Sequence, residues 1–163
     1  MYGYTESNQA TKTEINVDTE GVGTIYWNAS EEINVFFGNI NVRYRSTNTE
    51  KNTSVEFEPV SQTGGTESSM GERLGLYPFD ADATSDGSSV TTTVPAAQQG
   101  VPGSFGNNLF PMIAHAYTDN LHFKNVCGLL KLQLKGTENV KQIKVTAPSN
   151  NYLYGTLSNF AYS

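Results

Sequence analysis

Apolar and polar side chains alternate with a period of two along most of this sequence. Ile33, Val35 and Phe37 form one such row, and a second row runs from Met112 to Ala116. Successive side chains of an extended strand point to opposite faces, so this alternation predicts strands with one buried face. No segment sustains the 3.6-residue spacing of an amphipathic helix. The sequence therefore predicts an all-β fold.

The strongest alternation runs from Val126 to Lys135. Glycine and leucine occupy one face of this predicted strand, and lysine and glutamine occupy the other. Gly136–Asn139 then predicts a hairpin turn into a second strand, Val140–Thr146. An antiparallel pair of this kind packs one face on a core and leaves the other in water.

The alternating runs add up to roughly ten to twelve strands, at a spacing typical of a sandwich or barrel. We predict a two-sheet antiparallel β-sandwich that occupies residues 1–163 as a single domain. Three stretches rich in small or polar residues are predicted to be loops. They are Ser61–Gly75, Asp80–Ser89 and Gln98–Asn108.

The charge of the chain excludes some classes of partner. A formal net charge of −6 and an isoelectric point near 4.8 argue against binding of nucleic acid or anionic lipid through a basic face. No apolar run reaches the length of about 18 residues that a membrane-spanning helix requires.

Known catalytic motifs are missing from the sequence, so we predict that the chain is not an enzyme and binds no cofactor. Cys127 lies in an apolar run, which predicts a buried, unreactive thiol. His115 and His122 are seven positions apart and are predicted to lie separately rather than to form a metal pair. Glu56 and Glu58 alternate with apolar residues and are predicted to form a solvated strand face.

One acidic loop has the composition of a cation site. It contains Asp80, Asp82 and Asp86, followed by Gly87. Hard cations need several oxygen ligands that converge from a short loop, but this spacing differs from that of an EF-hand. The sequence leaves open whether the loop binds a cation, and it predicts no catalytic, cofactor-binding or metal residue elsewhere.

A series of phrases, in a fixed order, resembles the N-terminal domain of the fimbrillin family, the subunits of type V pili and related bacterial surface lipoproteins. The phrases are Thr24–Phe36, Leu76–Phe79, Val90–Gln98, Met112–Ala114, Phe123–Leu132 and Ile143–Thr146, followed by Gly155. Together they span nearly the whole chain. The sequence departs from the family at Ser30-Glu31, where a Gly-Asp pair is usual.

The resemblance implies a transthyretin-like β-sandwich, exported as a lipoprotein and built into a fimbrium at the cell surface. It also implies a longer precursor with a lipoprotein leader and a second β-domain, of which residues 1–163 would be the N-terminal half. Membrane attachment would depend on a lipid anchor that this chain does not include.

In the fimbrillin family a protease trims an N-terminal strand after a basic residue, and an extended segment of a neighbouring subunit fills the groove. The resemblance suggests Lys12 as the trimming position, with Arg43 and Arg45 less suitable because they lie within a predicted strand. The expected partners are other copies of the chain or related pilus subunits, and a host protein or glycan.

A surface glycan-binding module is the alternative interpretation. The chain has nine Tyr and eight Phe residues, but only one Trp. Trp27 shares a face with Ile25 and is predicted to lie in the core. The aromatic residues near the ends of the chain are the candidates for an exposed sugar platform. They are Tyr2, Tyr4, Tyr152 and Tyr154.

Overall fold

The computed structural model describes residues 14–20, 23–60, 71–98, 105–106, 109–128, 130, 132–137, 140–148 and 153–158. These residues form eleven strands and no helix. All strand pairs are antiparallel. The predicted all-β antiparallel sandwich is therefore confirmed.

The strands are numbered in chain order. They are β1 (Glu14–Val17), β2 (Gly23–Tyr26), β3 (Glu32–Phe37), β4 (Ile40–Ser46), β5 (Phe57–Pro59), β6 (Arg73–Tyr77), β7 (Thr84–Ser85), β8 (Val90–Val94), β9 (Met112–Ala116), β10 (Lys124–Asn125) and β11 (Gly155–Leu157).

A six-stranded sheet forms the centre of the fold, with the strand order β10-β9-β6-β3-β4-β5. β3 and β4 are joined by a tight turn in which Gly38 adopts a φ of 64°, a conformation that glycine takes without steric cost. A three-stranded sheet, β11-β8-β7, and a two-stranded sheet, β1-β2, complete the described strands.

Both faces of the six-stranded sheet are covered. Phe36, Leu74 and Leu76 lie on one face and pack against Ala83 and Val90, which belong to the β7–β8 region. Ile33 and Val35 lie on the opposite face, because neighbouring residues of a strand alternate between faces. This second face holds the larger of the two described apolar clusters.

Trp27 is at the centre of the second cluster, as the sequence predicts. Its indole is buried and meets the rings of Phe57, Tyr77 and Phe123 edge to face, each with a centroid distance of 5.2 Å. Edge-to-face contacts bring the positive rim of one ring against the negative face of another. A bridge between Trp27 and Asn52 fixes the adjacent backbone.

The prediction of a loop over Ser61–Gly75 is wrong for its last three residues, which begin β6; residues 61–70 lie outside the described part. β6 is buried at every position because it lies between β3 and β9 and both its faces are covered. A central strand of this kind has no polar face and therefore no alternation. Gly75 makes β6 still harder to predict, because a glycine suggests a loop. The fold requires glycine at this position, since a Cβ there would lie 2.9 Å from the ring of Phe123.

The predicted strand Val126–Lys135 and its hairpin partner Val140–Thr146 are wrong. The described residues between 126 and 148 form no strand, and the turn positions 138–139 lie outside the described part. From Leu130 onward, the large apolar side chains that the structure describes in this region are exposed to solvent. Alternation gives a strand one apolar face, but a strand forms only where a backbone partner and an apolar surface are available.

Candidate subunit interface

β5 is a terminal strand of the six-stranded sheet, and no described strand pairs with its outer edge. The backbone N–H of Thr47 donates to the carbonyl of Glu56, and the N–H of Val60 donates to that of Arg43. Glu56 and Val60 therefore direct backbone groups toward β4. Because these groups alternate along a strand, those of Phe57 and Pro59 point outward, to the open edge.

The side chains at this edge divide into an apolar and an acidic face. Val55 and Phe57 are half-buried and pack against the Trp27 cluster. Glu56 and Glu58 are exposed, which confirms the predicted solvated face. The open edge thus offers an apolar row with an acidic row beside it.

A second unusual surface lies between β10 and β11. We call residues 130–145 the exposed segment, and its description covers residues 130, 132–137 and 140–145. Six large apolar side chains in it are between 48% and 66% exposed. They are Leu130, Leu132, Leu134, Val140, Ile143 and Val145.

The exposed segment is also basic. Four of the ten Lys and Arg residues of the chain fall within it, and Glu138 is its only acidic residue. The rest of the chain contains the other fifteen acidic residues and only six basic ones. The net charge of −6 is therefore unevenly distributed along the sequence: the exposed segment is basic, and the rest of the chain is acidic.

Arg43 and Arg45 lie on β4 and both bind the carboxylate of Glu32 on β3. Partial burial by itself raises the pKa of Glu32, but the hydrogen bonds and positive charges of the two arginines outweigh it and leave the pKa below its ordinary value. Both arginines are thus part of a strand-to-strand ion pair. Lys12, the other suggested trimming position, lies outside the described residues.

In the acidic loop, the carboxylates of Asp80 and Asp86 accept hydrogen bonds from nearby backbone N–H groups and hydroxyls. Asp80 accepts hydrogen bonds from the backbone N–H of Asp82 and from the hydroxyl of Thr92. Asp86 accepts from the backbone N–H groups of Ser88 and Ser89 and from both serine hydroxyls, and these bonds lower its pKa to about 2. No group of three metal-binding side chains occurs among the described residues.

Asn34 connects this loop to the six-stranded sheet. Its side chain is fully buried and bonds both backbone groups of Asp80, while its amide also donates to Asn41. Asn41 in turn donates to the carbonyl of Ala83. The loop over residues 80–83 is therefore held by strand side chains, an anchoring role that its acidic composition does not reveal.

The structure places the two histidines in different settings. His115 is on β9, with its Nε2 atom 2.7 Å from Oε1 of Glu72, whereas His122 is exposed beyond the end of that strand.

Cys127 is half-buried rather than fully buried, and burial raises the pKa of its thiol. The higher pKa lowers the thiolate fraction at neutral pH and so agrees with an unreactive thiol.

The aromatic residues proposed for a glycan platform are only partly described. Tyr154 is 60% exposed, while Tyr2, Tyr4 and Tyr152 lie outside the described residues.

Among the described residues, no helix has the length and apolarity needed to cross a bilayer. Comparisons of the chain with protein-family models, curated proteins and solved structures return no match.

Sequence reasoning missed the open edge of β5 as a site, because an edge is a property of strand order and not of composition. Pro59 is the one signal that pointed to it. Proline lacks a backbone N–H and is therefore found on edge strands, where no donor is needed. The exposed segment was recognised as amphipathic, but its predicted partner strand was wrong.

Proposed function

We propose that this protein is a structural subunit of a bacterial surface fimbrium, or a fimbrillin-like surface adhesin, that assembles by strand donation between copies. The observation that carries the proposal is the exposed segment. It combines the alternation of a strand with apolar side chains that remain in water.

The physical basis is the cost of leaving such a segment uncovered. Burying one leucine fully is worth about 1.5–3 kcal/mol relative to leaving it exposed. A strand added to an open sheet edge also satisfies backbone donors and acceptors. A chain that keeps both an amphipathic segment and an open edge is suited to association with further chains.

The ordered phrases that resemble the fimbrillin family support the cellular side of the proposal. We accordingly propose an exported lipoprotein that is attached to the outer membrane or incorporated in a fimbrium. The role is structural, so the proposal includes no catalytic step and no cofactor.

Immunogold electron microscopy of the producing cells tests this function. An antibody against the chain should label filaments on the cell surface. Surface preparations treated with a Lys/Arg-specific protease should contain a ladder of denaturant-resistant multimers on gels. Label confined to the cell interior, together with only monomer on gels, would contradict the proposal.

A glycan-binding surface module is the second candidate, favoured by the exposed ring of Tyr154. A glycan array separates the two functions. A structural subunit should give no saturable binding to any glycan, whereas a glycan-binding module should bind at least one, and the binding should weaken when Tyr154 is replaced by alanine.

A further inference from the structure

We infer that the exposed segment of one copy docks along the β5 edge of a second copy, with its lysines beside Glu56 and Glu58. The inference rests on the proposed self-assembly and names the two surfaces that meet. It also gives the assembly a direction, because the basic donor and the acidic acceptor are different parts of the chain.

The apolar rows of the two surfaces match. In an extended conformation, Leu132 and Leu134 project to one side and Gln133 and Lys135 to the other. At the β5 edge, Val55 and Phe57 are half-buried in the core cluster, and neighbouring Tyr44 is also only partly buried. A strand laid beside β5 therefore places its leucines over this partly covered apolar row.

The same register places opposite charges together. When the leucines face the core, Lys135 faces outward, on the side where Glu56 and Glu58 are exposed. Lys144 has the same relation to its apolar neighbours Ile143 and Val145. Opposite charges on neighbouring strands attract, and like charges at these positions repel.

Charge also selects a second copy over other occupants. The basic segment belongs to a chain whose remaining part is strongly acidic, so each copy presents an attractive surface to the next. Pro59 leaves the β5 edge with one backbone donor fewer. Recognition at this edge therefore depends more on side-chain and charge complementarity than on a long hydrogen-bonded ladder.

The test is a charge swap on the 163-residue chain, followed by sedimentation velocity at 50 and 500 mM NaCl. The donor variant is Lys135→Glu/Lys144→Glu, and the acceptor variant is Glu56→Lys/Glu58→Lys. A control, Glu20→Lys/Asp82→Lys, makes the same charge change as the acceptor variant at exposed residues outside β5. Circular dichroism and thermal melting confirm that each variant folds.

The wild-type chain should self-associate at 50 mM NaCl, and the association should weaken about tenfold or more at 500 mM because salt screens exposed charges. Each swapped variant alone should associate about tenfold more weakly, since like charges then face each other. A 1:1 mixture of the two variants should regain the wild-type affinity. The control variant should behave as the wild type does.

Arg45 is opposite Glu58 on β4, so lysines at positions 56 and 58 place positive charge beside this arginine. A second acceptor variant, Glu56→Gln/Glu58→Gln, avoids this repulsion. The glutamines should weaken association without adding a positive charge.

Three results would overturn the inference. They are a chain that stays monomeric at both salt concentrations, an association that neither swap changes, and a mixture that fails to recover. Binding of the monomeric chain to phosphatidylglycerol vesicles, lost in the donor variant, would assign the segment to lipid instead.

The outcome is separate from that of the cell-surface experiment. Filaments labelled on cells, with no effect of the charge swap, would leave the fimbrial function standing and reject this contact. A successful swap without filaments would retain the contact and reject the fimbrium.

Discussion

The side-chain amide of Asn34 bonds both backbone groups of Asp80: its Nδ2 donates to the carbonyl oxygen at 2.8 Å, and its Oδ1 accepts from the N–H at 2.9 Å. One buried side chain of β3 thus replaces a strand partner for a loop residue 46 positions away. The amide is the connection between the six-stranded sheet and the acidic loop.

Asn34→Ala should lower the free energy of unfolding by about 2–4 kcal/mol, because two partly buried backbone groups of Asp80 lose their buried side-chain partner, each at a cost of about 1–3 kcal/mol. Urea denaturation measures the change. Asn125→Ala, at an exposed position of β10, should stay within about 0.5 kcal/mol of the wild type. Equal stabilities for the two variants would show that the amide does not anchor the loop.

Ser30 adopts a φ of 60°, in the left-handed region where a Cβ is unfavourable. Ser30→Gly should therefore raise the free energy of unfolding by up to about 1 kcal/mol, the relief of strain being partly offset by a more flexible unfolded chain. Ser54→Gly, at an exposed bend without a positive φ, is the matched control and should not stabilise. A loss of stability in Ser30→Gly, measured by thermal melting, would contradict this account.

Trp27→Ala should cost about 3–5 kcal/mol, since it opens a cavity among three rings. Trp27→Phe should cost less, because it keeps part of the edge-to-face packing. Urea denaturation followed by circular dichroism measures both. Tyr117→Ala, at a ring that is 69% exposed, provides the comparison and should change stability by about 0.5 kcal/mol or less.

The hydrogen bonds to Asp86 predict a specific pH dependence. Its pKa is lowered from 3.8 to about 2 in the folded chain, so these bonds stabilise the fold fully above pH 3.8 and are lost as the pH falls through about 2. Between these values, the urea midpoint of the wild type should fall more steeply than that of Asp86→Asn.

NMR titration of the Asp86 carboxyl should give a pKa of about 2. Ser88→Ala/Ser89→Ala removes the two hydroxyl donors but keeps the backbone donors, so it should move this pKa part of the way back toward 3.8. An unchanged pKa in that variant would mean that the hydroxyls contribute nothing to the charged form.

The sequence predicts most of the strands whose two faces differ. The β3 row of Ile33, Val35 and Phe37 was located correctly, and Trp27 was placed in the core, because both follow from local alternation. β6 was missed for the opposite reason, since a strand buried on both faces loses that signal. Gly75, which suggests a loop in the sequence, is required there by the ring of Phe123.

The surfaces that bear on function were harder to predict. The exposed segment has the strongest alternation of the chain, yet its described residues form no strand, because strand formation depends on which surfaces the rest of the fold leaves available. The acidic loop illustrates a different limit. Asp80 and Asp86 have the composition of cation ligands, but only their positions show that turn N–H groups and hydroxyls already use these carboxylates.

β6 lies between two strands that are far from it in the chain, since Gly75 pairs with Val35 on one side and with Ala114 on the other. Each of these pairings closes a loop of about 40 residues, and such long-range closures slow folding. During synthesis, β3 and β4 are able to pair as soon as they leave the ribosome, and β6 is then able to pair with β3, whereas the other edge of β6 must wait for β9. The side of the sheet that β9 and β10 form is therefore its last part to close, and a nascent chain that stalls before residue 112 leaves one edge of β6 unpaired and exposed to its neighbours.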